Sequence, residues 1–209
     1  MSLFDELTAN YPRLSECKPS IERAYDLICR AYDGGGRVYV CGNGGSEADS
    51  KHIVGELMKG FLKKRPVKFP PEIRAKLSPE TLALFGDKLQ GALPCHSLSG
   101  ETALITAVVN DLDPRLIFAQ QIHGCGRPGD CFIGISTSGN AEDVCLAAEL
   151  AAAMGLYTVA LTGQKGGKLA EICDETVRVP SNFTPEVQEL HLPVYHALCA
   201  AVEARYFEE

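Results

Sequence analysis

Two pairs of polar side chains stand at helical spacing among apolar residues, His52 with Glu56 and Gln188 with His196. His52 and Glu56 are four apart and share a helix face, with Ile53 and Leu57 one position round. Gln188, His191 and Tyr195 follow at steps of three or four. Gln188 and His196 are eight apart, close to two turns, so they also share a side. Glutamate and histidine are the natural base and acid for moving a proton beside a carbonyl. The four residues His52, Glu56, Gln188 and His196 also offer N and O ligands suited to a divalent metal. Spacing alone does not bring the two helices together.

Two turns add a second kind of chemistry. Gly42-Asn43-Gly44-Gly45-Ser46 follows the apolar run Val38-Tyr39-Val40-Cys41, and Ser136-Thr137-Ser138-Gly139-Asn140 follows Cys131-Phe132-Ile133-Gly134-Ile135. Each leads into a segment with helical character. A strand turning sharply into a helix N-terminus presents free backbone N–H groups and the positive end of the helix dipole, a receptor for phosphate. Neither turn is a G-x-x-x-x-G-K-[ST] loop or a G-x-G-x-x-G fingerprint. Without a Walker lysine, the ligand implied is a phosphorylated small molecule.

The elements that must position these residues alternate. Residues from about Leu3 to Tyr32 have helical spacing, with Pro19 expected to break them into two helices. Strands are expected from about Arg37, at 94–98, before Ser136, at 157–161 and at 176–179. Helices are expected at about 46–61, 101–109, 114–124, 141–154, 168–172 and from Thr184 nearly to the C-terminus. Strands alternating with helices imply a parallel sheet covered on both faces. The segment 62–93 differs in kind. It opens on the basic Lys63-Lys64-Arg65, contains Pro70-Pro71, and starts a short helix at Ser78-Pro79-Glu80 with an apolar set at Leu82, Leu84, Phe85 and Leu89.

The 209 residues, 45% of them hydrophobic, suffice for one domain with a sizeable core. A net charge of −7 leaves no basic footprint for nucleic acid. Apolar stretches are too short to span a bilayer, and Met1-Ser2-Leu3-Phe4-Asp5-Glu6 has neither the basic nor the apolar region of a secretory signal. The cysteines number nine, with no C-x-x-C, and read as reduced residues of a cytoplasmic protein.

Six segments together resemble the phosphoheptose isomerase family of sugar-isomerase (SIS) domains: VCGNGGS at 40–46, His52-x-x-x-Glu56-Leu57, Asn110-Asp111, GDCFIGISTSGN at 129–140, LTGQKGGKLA at 161–170 and VQELHLPVYH at 187–196. The resemblance implies an α/β three-layer sandwich, flavodoxin-like or Rossmann-like. Its central parallel sheet is flanked by helices and preceded by an N-terminal helical segment over 1–33, and the whole chain is a single SIS domain interrupted at 62–93. It implies a ketose–aldose isomerase acting on sedoheptulose 7-phosphate by an ene-diol route, with Glu56 as base and His196 as acid. Substrate contacts carried over are Asn43, Gly44, Gly45, Glu56, Asn110, Asp111, Ser136, Thr137, Ser138 and Gln188. Zinc-containing members hold the metal at the positions of His52, Glu56, Gln188 and His196, which implies one Zn²⁺ per subunit. The family also implies a homotetramer whose active sites draw on more than one subunit.

Three departures stand out. Ala141 replaces a serine that touches phosphate in the family, Gly60 replaces an arginine four residues after the glutamate, and 62–93 is longer than its usual counterpart. A non-catalytic relative, a replication-initiator-associating protein, lacks the Glu and the second His at positions 56 and 196. Both are present here, which favours the enzyme. A sugar-phosphate-sensing SIS domain, or one with its substrate altered by the 62–93 segment, is the other alternative.

Overall fold

The structure is a computed structural model that describes residues 2–207. Five strands form one parallel sheet in the order β2-β1-β3-β4-β5: β1 Val38–Gly42, β2 Cys95–Ser97, β3 Cys131–Ser136, β4 Tyr157–Thr162 and β5 Glu175–Arg178. All five expected strands are present. Every residue of β1 and β3 is buried, as central parallel strands covered on both faces must be.

The helices divide between two faces. On one lie α1 (Leu3–Asn10), α2 (Lys18–Asp33), α3 (Gly45–Met58) and α10 (Thr184–Tyr206), whose Leu7, Ile21, Ile28, Ile53, Leu57, Val194 and Leu198 pack with Val38, Val40, Ile133 and Leu161. On the other, α7 (Ala119–Cys125) and α8 (Glu142–Ala153) pack Ile122, Val144, Ala147 and Ala148 against Tyr39, Cys41 and Phe132. This is the three-layer α/β sandwich the sequence implies.

The strand order reverses direction at β1. Connections leaving the C-terminal ends of β1 and β3 therefore run to opposite faces and open a crevice between them. Both glycine-rich turns sit at the rim of this crevice, since they follow β1 and β3 and paired parallel strands end on the same side.

Some boundaries differ from the sequence reading. The N-terminal break falls at Tyr11, before a 3₁₀ turn over Pro12–Cys17, and Pro19 lies in the first turn of α2, where its missing N–H has no consequence. The stretch at 114–124 divides into a 3₁₀ turn, Pro114–Leu116, and α7. Helix α3 ends at Met58, with Lys59 extended.

The 62–93 segment holds α4 (Pro71–Arg74) and α5 (Pro79–Lys88), the latter capped by the Ser78 side chain accepting from the Thr81 N–H. Neither helix buries a residue, and Leu84 and Leu89 are exposed. Arg65, grouped by sequence with two surface lysines, is fully buried. Helix α6 (Thr102–Asp111) is apolar yet buries only Val108, leaving Leu104 and Val109 exposed. All nine cysteines are free and seven are buried. Among the described residues, no helix is long and apolar enough to cross a membrane.

Candidate active site

Helices α3 and α10 pack side by side, and their polar faces meet. The His52 and His196 rings lie 5.0 Å apart, centroid to centroid, and nearly perpendicular. His52 Nε2 is 3.0 Å from Glu56 Oε1. Sequence spacing paired His52 with Glu56 and placed His196 on a second helix, and the fold brings the three together. Phe61, just beyond α3, stacks obliquely on His196 at 5.3 Å. The Glu56 side chain is 13% exposed, and its Oε2 is buried without a hydrogen-bond partner, as is His196 Nε2. The Lys59 ammonium lies 3.8 Å from Glu56 Oε2, and buried atoms without a hydrogen-bond partner on a base and an acid of one cluster are what a proton-transfer site leaves for its substrate. Burial holds the His196 pKa below its ordinary value, reinforced by His52 and opposed by Glu56.

Behind His52 stands a pair to which the sequence reading gave no role. The Tyr195 hydroxyl donates to Asp49 Oδ1 at 3.2 Å and lies 3.0 Å from His52 Nδ1. Burial, then the neighbouring Asp49 charge, pushes the Tyr195 pKa up. Asp49 is raised by burial as well, against the Tyr195 hydrogen bond. A carboxylate only accepts, so at 3.0 Å Nε2–H of His52 donates to Glu56 Oε1, while Nδ1 faces the Tyr195 hydroxyl. The signal available in sequence was Asp49-x-x-His52, one turn apart on α3.

The turn after β1 brings Gly45 under Gln188. A Cβ on Gly45 would stand 2.5 Å from Gln188 Nε2, so the absence of a side chain lets the α10 amide reach the N-terminus of α3. Gly44, at φ 57° and ψ −118°, takes a backbone conformation open to glycine. Asn43 donates through Nδ2 to both carboxylate oxygens of Asp143, at 3.0 and 2.9 Å, which leaves its carbonyl oxygen facing elsewhere.

The turn after β3 is braced by its own side chains. Ser138 Oγ accepts from the Asn140 N–H, and Asn140 Oδ1 accepts from the Lys168 N–H at 3.0 Å. Gly139, at φ 69°, is packed so closely on Gly166 that a Cβ would collide with that carbonyl. Ser136 is buried at the strand end, and its Oγ accepts weakly from the Ala141 N–H at 3.4 Å. The acidic first turn of α8 is partnered, Asp143 by Asn43 and Glu142 by Arg115 at 3.1 Å.

Asn110 and Asp111 lie elsewhere. They end α6, are exposed, and bond to one another at 2.7 Å; among the described residues no hydrogen bond joins them to the His52–Glu56–His196 cluster.

As for a metal, no group of three or more His, Cys, Asp or Glu among the described residues already converges on one point. The donor types nonetheless suit a divalent ion: two imidazoles, a carboxylate and the Gln188 amide, with Glu56 Oε2 and His196 Nε2 unpartnered.

Residues 94–202 match the SIS domain family, as do residues 4–78 with a second SIS domain family, and the two matches leave 79–93 of the 62–93 segment uncovered. The chain is 39% identical over 191 residues to a phosphoheptose isomerase of Rhodospirillum rubrum, covering 91% of this chain and 88% of that protein. Its fold superposes on a phosphoheptose isomerase from Francisella tularensis with a TM-score of 0.70 at 28% identity, covering 97% and 99% of the two chains. The phosphoheptose isomerase of Neisseria gonorrhoeae gives 0.69 at 27% identity, over 96% and 99%.

Proposed function

The chain belongs to the phosphoheptose isomerase family of SIS-domain proteins, and on that premise we propose that it converts sedoheptulose 7-phosphate to D-glycero-D-manno-heptose 7-phosphate, with Glu56 as base and His196 as acid. The observation that carries the residue roles is the one cluster in which His52 bonds Glu56 and packs edge-on against His196, with Glu56 Oε2 and His196 Nε2 buried and free of hydrogen bonds. Glu56 takes the proton from the carbon beside the ketose carbonyl, giving an ene-diol, and returns it to the former carbonyl carbon. His196 carries the accompanying proton between the two oxygens. Burial keeps the His196 ring neutral to lower pH than an exposed histidine, so it can accept as well as donate.

The turn at Ser136, Thr137 and Ser138 receives the phosphate through hydroxyls and backbone N–H groups beside the α8 N-terminus. With its amide nitrogen engaged by Asp143, Asn43 offers its carbonyl oxygen to a sugar hydroxyl. Gln188, seated on Gly45, links this crevice to the acid–base pair.

Zn²⁺, one per subunit, would be held by His52, Glu56, Gln188 and His196, and when bound it would polarise substrate oxygens. The orientation of His52 supports this. Its Nε2 lies 3.0 Å from Glu56 Oε1, the two being donor types that a divalent ion can take in place of the proton they share. The protein assembles as a homotetramer with shared active sites, a reading supported by the uncovered apolar side chains of α6 and α5. Asn110 and Asp111, at the end of α6, would then serve a neighbouring subunit's crevice.

Incubating the pure protein with a panel of five- to seven-carbon ketose phosphates, with and without zinc, tests the assignment. Aldose formation should be greatest from sedoheptulose 7-phosphate. Failure to convert any member of the panel would refute it.

A further inference from the structure

Among the described residues, the most completely buried charges belong to neither the acid–base cluster nor the phosphate turns. Arg65 is wholly buried and Glu203 is 1% exposed; they pair at 2.8 Å. Burying two charges is costly, and well-packed apolar side chains generally stabilise a fold as well or better. What an apolar pair cannot supply is a set of directed hydrogen bonds, and here every one of them falls on the framework of the candidate active site.

Arg65 Nη2 donates to the Glu56 carbonyl at 2.9 Å and Nη1 to the Leu57 carbonyl at 2.6 Å. These belong to the last turn of α3, where carbonyls have no partner within the helix. Arg65 Nε donates to Glu203, whose carboxylate also accepts the backbone N–H groups of Phe61, Leu62 and Lys63 at 2.8, 2.7 and 3.1 Å. Glu203 lies seven residues, about two turns, beyond His196 and so on the same side of α10. One guanidinium thus ties the backbone of Glu56 to the helix that carries His196. Its partner Glu203, by accepting the Phe61 N–H, also anchors the residue that packs on the His196 ring.

The root of the 62–93 segment is wired to the same point. The Gly91 N–H donates to the Arg65 carbonyl at 2.7 Å, Pro66 pairs with Gln90, and the Gly60 N–H donates to Gln90 Oε1 at 2.6 Å.

We propose that Arg65, clamped by Glu203, is a positioning residue that sets the Glu56 carboxylate against His196 by fixing the last turn of α3 to α10. The proposal rests on the acid–base roles given above. It separates two properties that a purely structural ion pair would move together. Loosening the last turn of α3 misplaces the base in every folded molecule, and misplacements of about an ångström lower turnover by up to about a hundredfold. The phosphate turn after β3 is untouched, so substrate binding should hold.

Arg65→Lys is the sharpest variant, since an ammonium keeps the charge but cannot make the three forked bonds. Its kcat should fall about 10- to 100-fold, measured well below its melting temperature, with KM within about twofold of wild type. Leu14→Ala, a cavity in the N-terminal 3₁₀ turn, serves as the stability control and should lower Tm while leaving kcat intact. An Arg65→Lys kcat within twofold of wild type overturns the proposal, as does a Leu14→Ala kcat that falls equally. Should Arg65→Lys not fold, Glu203→Gln decides by the same split between kcat and KM. Glu56→Gln, run alongside, separates the two readings. An active Glu56→Gln variant removes the base assignment, whereas an inactive one beside a fully active Arg65→Lys removes only the clamp.

Discussion

His191 offers a test of how α10 is seated. It lies on α10 between Gln188 and Tyr195 and is fully buried, with Nε2 3.2 Å from the Thr162 carbonyl at the end of β4. A carbonyl only accepts, so Nε2 carries the ring proton, and Nδ1 is left buried with no partner. Burial drives the pKa from 6.5 down to about 4, against the Thr162 carbonyl, which favours the charged ring. Between these two values the unfolded chain takes up a proton that the folded protein refuses. Stability therefore falls as pH falls through this window; the His191 contribution is constant above it and fully lost below it. A pKa of about 4 against 6.5 corresponds to about 3 kcal/mol, most of it lost by about pH 4.5. Urea unfolding of wild type and His191→Gln at about pH 7 and pH 4.5, at one protein concentration, reads this directly. Titrating carboxylates act in both proteins and cancel in the difference. The variant starts less stable but should lose about 2 to 3 kcal/mol less on acidification. Equal losses in the two proteins would refute the burial argument and the seating of α10 on Thr162 that it describes.

Other outcomes follow from the acid–base cluster and the crevice. Glu56→Gln, nearly isosteric, should keep the fold and lower turnover at least about a hundredfold, with His196→Asn similar; turnover within a few fold of wild type in both would remove the assignment. Elemental analysis after mild zinc loading should find one Zn²⁺ per subunit, and no stoichiometric metal with activity indifferent to chelator would leave Glu56 and His196 acting alone. Gly45→Ala should push the Gln188 amide away and lower kcat/KM on the order of tenfold to a hundredfold with Tm little changed, whereas unaltered kinetics would show that Gln188 has no part in the site.

The parallel sheet was legible because its signals are local. Apolar runs of β-favouring residues ended in glycine- and hydroxyl-rich turns, and each was followed by helical spacing. The pairings of His52 with Glu56 and of Gln188 with His196 were legible for the same reason, since helix periodicity fixes which residues share a face. What spacing cannot express is the partner across the gap. Tyr195 was visible on the face of α10, but its bond to Asp49 joins positions 146 apart in sequence. Arg65 was misleading for a related reason. Beside Lys63 and Lys64 it reads as part of a solvated basic run, and only the fold, by carrying α10 past the end of α3, supplies the carboxylate that permits its burial. The absence of an arginine at position 60 has a similar origin. A Cβ on Gly60 would collide with the backbone carbonyl of Lys63 and stand 2.5 Å from Gln90 Oε1, so the turn after α3 and the Gln90 side chain together occupy the space a side chain would need. Gln90 accepts the Gly60 N–H, and a larger residue at position 60 would have to shift both that side chain and the Lys63 backbone at the root of the segment.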